Sequence, residues 1–251
     1  MYRERMLGHR SSIAVTACFF LNSVLAGPPL EIDDPGILEP GQWEIITAAT
    51  LTSTNAGDSY EAPVLDVSYG VAEQVQVSAV YPYVFVDPDD GSSESDFGNL
   101  EIGVKWRFVD EDNLQLAVAP LYVFGVSAGR ARRGIGDEND VFGLPFLLET
   151  SFGEWRLNAS LGYEAVQSDR DALAYGAALA HPFGARTEIL FEIYGSADTE
   201  FDDDVLNFHV GFDSEIAEDL HLLFAAGSAI RDPDGGEELD FDVFLGLQFF
   251  R

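Results

Sequence analysis

The stretch Leu100–Phe108, LEIGVKWRF, decides the fold class of this chain. Its apolar side chains occupy every second position, at Leu100, Ile102, Val104, Trp106 and Phe108. The positions between them carry Glu101, Gly103, Lys105 and Arg107. Successive side chains of a β-strand point to opposite faces, whereas a helix would mix these two sets on every face. The stretch therefore predicts a strand with one apolar face and one polar face.

The same period of two recurs along the chain from residue 42 onward. We predict about twelve such strands, at 42–52, 61–69, 74–85, 99–109, 114–124, 140–150, 154–166, 172–181, 187–196, 204–213, 219–230 and 239–250. Each is close to the ~9–11 residues that a tilted transmembrane strand needs. Proline cannot donate to a strand ladder, so we expect a bulge or a strand end at Pro82, Pro120 and Pro145.

The predicted connections are of two kinds. Those after the even-numbered strands are short, whereas those after the odd-numbered strands are mostly longer and acidic. The main long connections are Asp87–Phe97, Gly125–Asn139, Ala197–Asp203 and Arg231–Glu238. Short turns at one end and long loops at the other are typical of outer-membrane barrels, and an even strand number places both chain ends at the short-turn, periplasmic end.

A soluble β-sandwich would also give many short alternating strands. Here, however, aromatic residues such as Trp43, Trp106 and Trp155 occur near strand ends on the apolar face, as in the aromatic girdle of a membrane barrel. Only helices and closed barrels satisfy every backbone group in lipid. We therefore predict an all-β fold, a transmembrane antiparallel β-barrel of about twelve strands, over residues 42–251.

The first residues are typical of a targeting segment. Three arginines among them precede a mostly apolar run from Ile13 to Leu25, which is too short to cross a bilayer as a helix. We predict a cleaved signal peptide over residues 1–26 and a periplasmic N-terminal segment over residues 27–41, which could plug that end of the barrel. Cys18, the one cysteine of the chain, falls in the signal peptide, so no disulfide framework is expected.

The charge of the chain excludes one class of partner. The 251 residues include 13 Lys+Arg and 44 Asp+Glu, which gives a formal net charge of -31. Nucleic-acid binding needs clustered Lys and Arg to neutralise phosphates, so no nucleic acid is expected as a partner. The hydrophobic content of 47% is too high for a disordered chain.

Several stretches, taken in order, resemble the "MetA-pathway of phenol degradation" family of outer-membrane transporters. The more specific ones are DDPG at Asp33–Gly36 and GVKWR at Gly103–Arg107. Weaker matches lie at Glu39–Glu44, Glu61–Gly70, Gly134–Asp137 and Leu245–Gln248. The resemblance implies a channel barrel with a link to aromatic or other hydrophobic small molecules, and it implies no catalytic residues. The chain departs from the family at Arg251, where such proteins end on an aromatic residue that the barrel-assembly machinery recognises.

Catalytic and metal-binding motifs are not found. His181, His209 and His221 stand in no nucleophile-elbow or paired-histidine motif, so we expect no enzyme activity and no cofactor. Loop acids suit hard cations, but their spacing matches no calcium-binding loop, so no metal site is predicted. These acids are Asp87, Asp89, Asp90, Asp202, Asp203, Asp204, Asp232 and Asp234. Cation bridging between such loops and lipopolysaccharide is a hypothesis.

The alternation also predicts which charged residues line the lumen, because a Lys or Arg on the lipid face costs roughly 2–4 kcal/mol at mid-membrane. They are Glu44, Asp66, Glu101, Lys105, Arg107, Arg156, Glu164, Glu188, Glu192 and His209. The one basic cluster, Arg130, Arg132 and Arg133, lies in the longest predicted loop. It is either a surface loop that contacts lipid phosphates or neighbouring acidic loops, or a loop that folds inward as a cationic constriction.

Together these features predict a passive bacterial outer-membrane channel for small solutes with a narrow, mostly acidic lumen. The resemblance implies aromatic or hydrophobic solutes, whereas the lumen charges favour cations or polar solutes. The alternative is a structural or surface-interaction barrel with a closed lumen and acidic, cation-bridging loops. The expected partners are outer-membrane lipid and lipopolysaccharide, a small-molecule solute and the barrel-assembly machinery.

Overall fold

A computed structural model describes residues 27–88, 93–199, 204–232 and 236–251. The predicted signal peptide lies outside these residues. So do five of the loop acids considered as cation ligands, namely Asp89, Asp90, Asp202, Asp203 and Asp234.

Fourteen strands and one short helix make up the regular structure of the described residues. The strands are β1 Trp43–Thr54, β2 Gly57–Ala72, β3 Val75–Pro88, β4 Glu94–Phe97, β5 Leu100–Glu111, β6 Leu114–Val118, β7 Leu121–Phe124, β8 Val141–Phe152, β9 Trp155–Val166, β10 Ala172–Pro182, β11 Thr187–Asp198, β12 Asp204–Ala217, β13 Leu220–Arg231 and β14 Leu239–Phe250. The helix α1 covers Ala128–Ala131. No helix among the described residues is long and apolar enough to span a bilayer.

The strands form one closed antiparallel barrel. Strand β1 pairs with β2 on one side and with β14 on the other, so the sheet has no free edge there. Strands β4 and β5 lie in line and both pair with β3, and β6 and β7 lie in line between β5 and β8. Twelve strands therefore surround the lumen, which confirms the predicted barrel.

Proline explains the interruption between β6 and β7, which lies within the predicted strand 114–124 at the point where a bulge or strand end was expected. Pro120 separates the two strands, and Pro145 on the facing strand β8 occupies the same level of the sheet. Neither has a backbone N–H to donate, so the ladder cannot continue through this point. The carbonyls compensate in part: the Ala119 N–H donates to the Pro145 oxygen at 3.1 Å, and the Val104 N–H donates to the Pro120 oxygen at 3.0 Å.

Two of the predicted connections are shorter than the sequence suggested. Within the predicted loop Asp87–Phe97, β3 continues to Pro88 and β4 begins at Glu94. Strands β1 and β2 are joined by a tight turn at Asn55 and Ala56 only. In both places polar strand residues extend the ladder beyond the apolar alternation on which the boundaries were based.

The two faces of the barrel wall differ in the way that the alternation predicts. On β5, Trp106 is 49% exposed on the outside, whereas Glu101 is 5% exposed and points inward. Exposed apolar side chains such as Leu161, Ile193 and Leu245 continue this outer surface on other strands. A large exposed apolar surface of this kind needs a covering, which lipid provides for a barrel.

Candidate functional site

The barrel interior is occupied in part by the N-terminal segment, residues 27–42, which we call the plug. Leu30 and Ile32 of the plug are buried against Ala178, Ala180 and Leu190 on the inner wall of β10 and β11. The segment predicted to lie at the periplasmic end therefore extends into the barrel. Its apolar residues gain burial against small inner-wall residues that leave room for them.

Two glycines of the barrel wall allow the plug to pack closely against it. A Cβ atom on Gly176 of β10 would come within 2.4 Å of Ile32 Cγ2. A Cβ atom on Gly70 of β2 would come within 2.1 Å of the Glu39 carbonyl oxygen. Any larger residue at either position would push the plug away from the wall, because such contacts are far inside van der Waals distance.

Backbone groups of the plug are held by side chains of the wall. The Glu192 carboxylate accepts hydrogen bonds from the N–H groups of Glu31, at 2.9 Å, and Ile32, at 2.7 Å. Gln76 Oε1 accepts another from the Leu38 N–H at 3.0 Å. The plug lacks regular secondary structure, so these wall groups satisfy backbone donors that would otherwise be buried without partners.

An ion pair joins the two most specific stretches of the family resemblance. Lys105 Nζ lies 2.7 Å from Asp33 Oδ1, and both side chains are largely buried. Burial raises the pKa of Asp33 to about 6, although the Lys105 ammonium acts in the opposite direction. Burial likewise raises the pKa of Glu31 to about 8, opposed by His209. Asp33 and Lys105 thus meet inside the barrel. Their positions in the sequence did not predict this contact.

A cavity of about 720 Å³ lies between the plug and the wall formed by β14, β1, β2, β3 and β5. Its charged lining is mostly acidic, with Glu31, Asp33, Glu44, Asp58, Glu61, Asp66, Glu94, Glu101, Asp137, Glu237 and Asp242 against Lys105, Arg132 and Arg133. Apolar lining residues lie beside these groups, among them Ile46, Val80, Leu121, Val123 and Phe244. The volume falls within the roughly 300–1,000 Å³ of small-molecule pockets.

The charged residues predicted for the lumen divide into two groups. Glu44, Asp66, Glu101, Lys105 and His209 line the cavity. The others lie elsewhere on the inner wall. They are Arg107, Arg156, Glu164, Glu188 and Glu192, of which Arg156 pairs with Glu188 at 2.6 Å and Arg107 bonds to Gln115 at 3.2 Å. Their role in solute passage stays a prediction.

The three loop arginines have different surroundings. Arg130 pairs with Asp96 at 3.0 Å, and Arg133 pairs with Glu94 and Asp96, each at 3.0 Å. These pairs fasten the loop that carries α1 to strand β4. Arg132 and Arg133 both line the cavity, so the loop reaches the cavity at the long-loop end. Whether it filters solutes stays a prediction.

A cluster that the sequence analysis did not identify surrounds His209 on β12. His209 Nδ1 lies 3.1 Å from Glu192 Oε2, and its Nε2 lies 2.6 Å from Asp242 Oδ2. The hydroxyl of Tyr194 lies 3.3 Å from the same Nε2. The alternation predicted that Glu192 and His209 face the lumen, but only the register of β11, β12 and β14 brings Tyr194 and Asp242 to the same point.

Comparison with known proteins supports the fold only. No protein-family model matches the chain, and no curated protein matches it by sequence. Solved structures do resemble it. The COG4313 outer membrane channel from Pseudomonas putida F1 superposes with a TM-score of 0.68 at 12% identity, covering 88% of this chain and 100% of that one.

Other barrels of this architecture serve different purposes. The NanC porin has a TM-score of 0.59 at 9% identity, covering 82% of this chain and 98% of its own. The translocator domain of the autotransporter NalP from Neisseria meningitidis has a TM-score of 0.56 at 12% identity, covering 84% and 89%. The shared fold therefore does not by itself distinguish a channel from a translocator.

Proposed function

We propose that this chain is a bacterial outer-membrane β-barrel that acts as a passive channel for small solutes. The observation that carries this proposal is the cavity of about 720 Å³, enclosed by a closed barrel whose outer surface is apolar. A closed sheet with an apolar exterior is stable in lipid, and a cavity of this size admits a small solute. The COG4313 outer membrane channel shares the fold and supports the proposal by analogy.

The lining favours small solutes with an apolar body. Ile46, Val80, Leu121 and Val123 offer apolar surface beside the acidic groups of the cavity. This mixture suits aromatic or other hydrophobic compounds, in agreement with the resemblance to the "MetA-pathway of phenol degradation" family, to which we propose that the chain belongs. The acidic groups would disfavour organic anions, so neutral or cationic compounds are the preferred solutes.

Reconstitution tests this function directly. The purified barrel is placed in a planar bilayer, and discrete conductance steps are expected from a narrow aqueous path. Liposomes that contain the barrel are then compared for entry of phenol, benzoate and a neutral sugar of similar size, with empty liposomes as the control. Faster entry of phenol than of benzoate is the expected order.

The second candidate is a structural or surface-interaction barrel with a closed lumen. The plug favours it, because Leu30 and Ile32 pack tightly against the inner wall. A correctly folded barrel that shows heat-modifiable mobility on a gel and conducts no current would support this candidate and exclude the channel. The outer-membrane lipid, lipopolysaccharide and barrel-assembly machinery are expected partners under either candidate.

A further inference from the structure

The plug and the wall bring together a set of metal-ligating side chains. Glu31 of the plug, His209 of β12 and Asp242 of β14 each direct one ligand atom to a common point, and these atoms all lie within 4.8 Å of one another. The three residues are distant in sequence, so no motif spacing could indicate them. Ligand atoms of a tetrahedral zinc ion lie roughly 3.3–3.5 Å apart, so modest shifts of these side chains would bring the three atoms around one ion.

The imidazole of His209 is oriented as a metal ligand would be. Its Nδ1 faces the Glu192 carboxylate at 3.1 Å, which leaves Nε2 directed at Asp242 Oδ2, 2.6 Å away. Glu192 is itself fixed by the two plug N–H groups. Metal-binding histidines commonly use one ring nitrogen for the metal and the other for a carboxylate, which fixes the tautomer.

Three carboxyl groups surround the buried imidazole of His209. Glu31, Glu192 and Asp242 surround one imidazole, and within the described ranges no Lys or Arg forms an ion pair with any of them. Asp242 Oδ1 is buried without a hydrogen-bond partner among these residues. The side-chain oxygen of Asn207 is likewise buried and unpartnered, and Asn207 is 3% exposed, two residues from His209 and opposite Tyr194. A buried carboxylate oxygen without a partner is costly, and a cation at this point would offset that cost.

We propose that Glu31, His209 and Asp242 form a zinc-binding site that ties the plug to the barrel wall. One imidazole nitrogen with two carboxylate oxygens is a donor set that Zn²⁺ accepts, whereas Ca²⁺ and Mg²⁺ prefer oxygen ligands alone. The Tyr194 hydroxyl lies beside the cluster, 3.5 Å from Asp242 Oδ2. Bound zinc joins a plug residue to two wall strands, so it holds the plug in the lumen.

Zinc binding is tested on the full chain, purified without a histidine tag and stripped of metal with EDTA. Calorimetric titration with ZnCl₂ is expected to give one site per chain, and Co²⁺ is expected to give visible d–d absorption at the same site. His209→Gln should abolish both signals, and Glu31→Gln should weaken binding without altering any strand. Glu192→Gln, which removes only the positioning carboxylate, should weaken it by roughly 10–100-fold.

The matched control is His221→Gln. His221 is also an inner-wall histidine bonded to a carboxylate, with Nδ1 2.7 Å from Asp213 Oδ1, but it lies outside the cluster. This variant should bind zinc as the wild type does. Heat-modifiable mobility establishes that each variant is folded. The site would be overturned if the wild type did not bind zinc stoichiometrically. It would also be overturned if the Glu31→Gln and His209→Gln variants bound zinc as tightly as the wild type, and the cluster would then be only hydrogen-bonded.

A separate experiment tests whether bound zinc holds the plug against the wall. Zinc should slow cleavage of the plug by a glutamate-specific protease in the wild type and have no effect in His209→Gln, which serves as the control for inhibition of the protease. Equal cleavage rates of the wild type with and without zinc would refute the tie. Neither readout depends on conductance, so the zinc site and the channel function can fail independently.

Discussion

At the scale of single residues, Lys105 has the largest predicted effect on the plug. Its ammonium is paired with Asp33 in a largely buried position. Removing one partner of such a pair leaves an uncompensated charge, which costs about 3–5 kcal/mol. Lys105→Met should therefore release the plug, which is measured as a larger single-channel conductance and faster proteolysis of residues 27–42.

The double variant distinguishes plug release from a mere change of lumen charge. In Lys105→Met with Asp33→Asn no buried charge is left unpaired, so the plug should return at least partly to the lumen. Arg231→Met is the control, since Arg231 and Asp204 form a well-exposed pair of the kind worth about 0–1 kcal/mol. If the single and double variants conducted alike, the ion pair would not be what retains the plug.

The loop arginines should differ in function because their partners differ. Arg130 and Arg133 are held by Glu94 and Asp96, whereas Arg132 is an exposed side chain that lines the cavity. Arg132→Gln should increase the preference of the channel for cations, measured as a shift of the reversal potential in a salt gradient, with no change of stability. Arg130→Gln should alter stability by no more than about 1 kcal/mol. An unchanged reversal potential in Arg132→Gln would show that this loop is not a filter.

At the scale of elements, the strands could be predicted and their interruptions only in part. The alternation at Leu100–Phe108 predicts β5 because the lipid-facing and lumen-facing sides demand opposite chemistry. The interruption at Pro120 could be predicted from the sequence, because proline lacks a backbone N–H whatever its surroundings. The extension of β3 and the short strand β4 could not be predicted, because polar residues there pair through backbone groups and leave no apolar pattern.

The plug is the element most sensitive to close packing. Gly176→Ala places a methyl group 2.4 Å from Ile32 Cγ2, and overpacking of this kind costs about 1–3 kcal/mol. The variant should populate the unplugged state, which is measured as longer high-conductance openings. Ile32→Ala in the same chain removes the clashing methyl group and should restore part of the closed time. Gly129→Ala is the matched control, because the added methyl group would meet only Ser127 Oγ at 3.9 Å and would not touch the plug.

At the scale of the whole molecule, the candidate site depends on closure of the barrel. The alternation predicts that Glu101 and His209 face inward, yet it contains no information about which inward residues meet across the lumen. That depends on strand registers and on the path of the plug, which has no periodic pattern. Glu31 is an example. Its position in the sequence predicted only that it lies in a periplasmic segment, whereas in the structure it lies beside His209 and Asp242.

The acidity of the cavity leads to a prediction for the assembled channel. Asp66 Oδ1 and Glu101 Oε2 face the lumen without hydrogen-bond partners among the described residues. Unpaired carboxylates beside a narrow path attract cations and repel anions, so the channel should be cation-selective. Asp66→Asn with Glu101→Gln should move the reversal potential in a potassium chloride gradient toward zero. Glu154→Gln, at a turn where the carboxylate is 81% exposed, should not. Anion selectivity of the wild type, or an unchanged reversal potential in the double variant, would contradict this prediction.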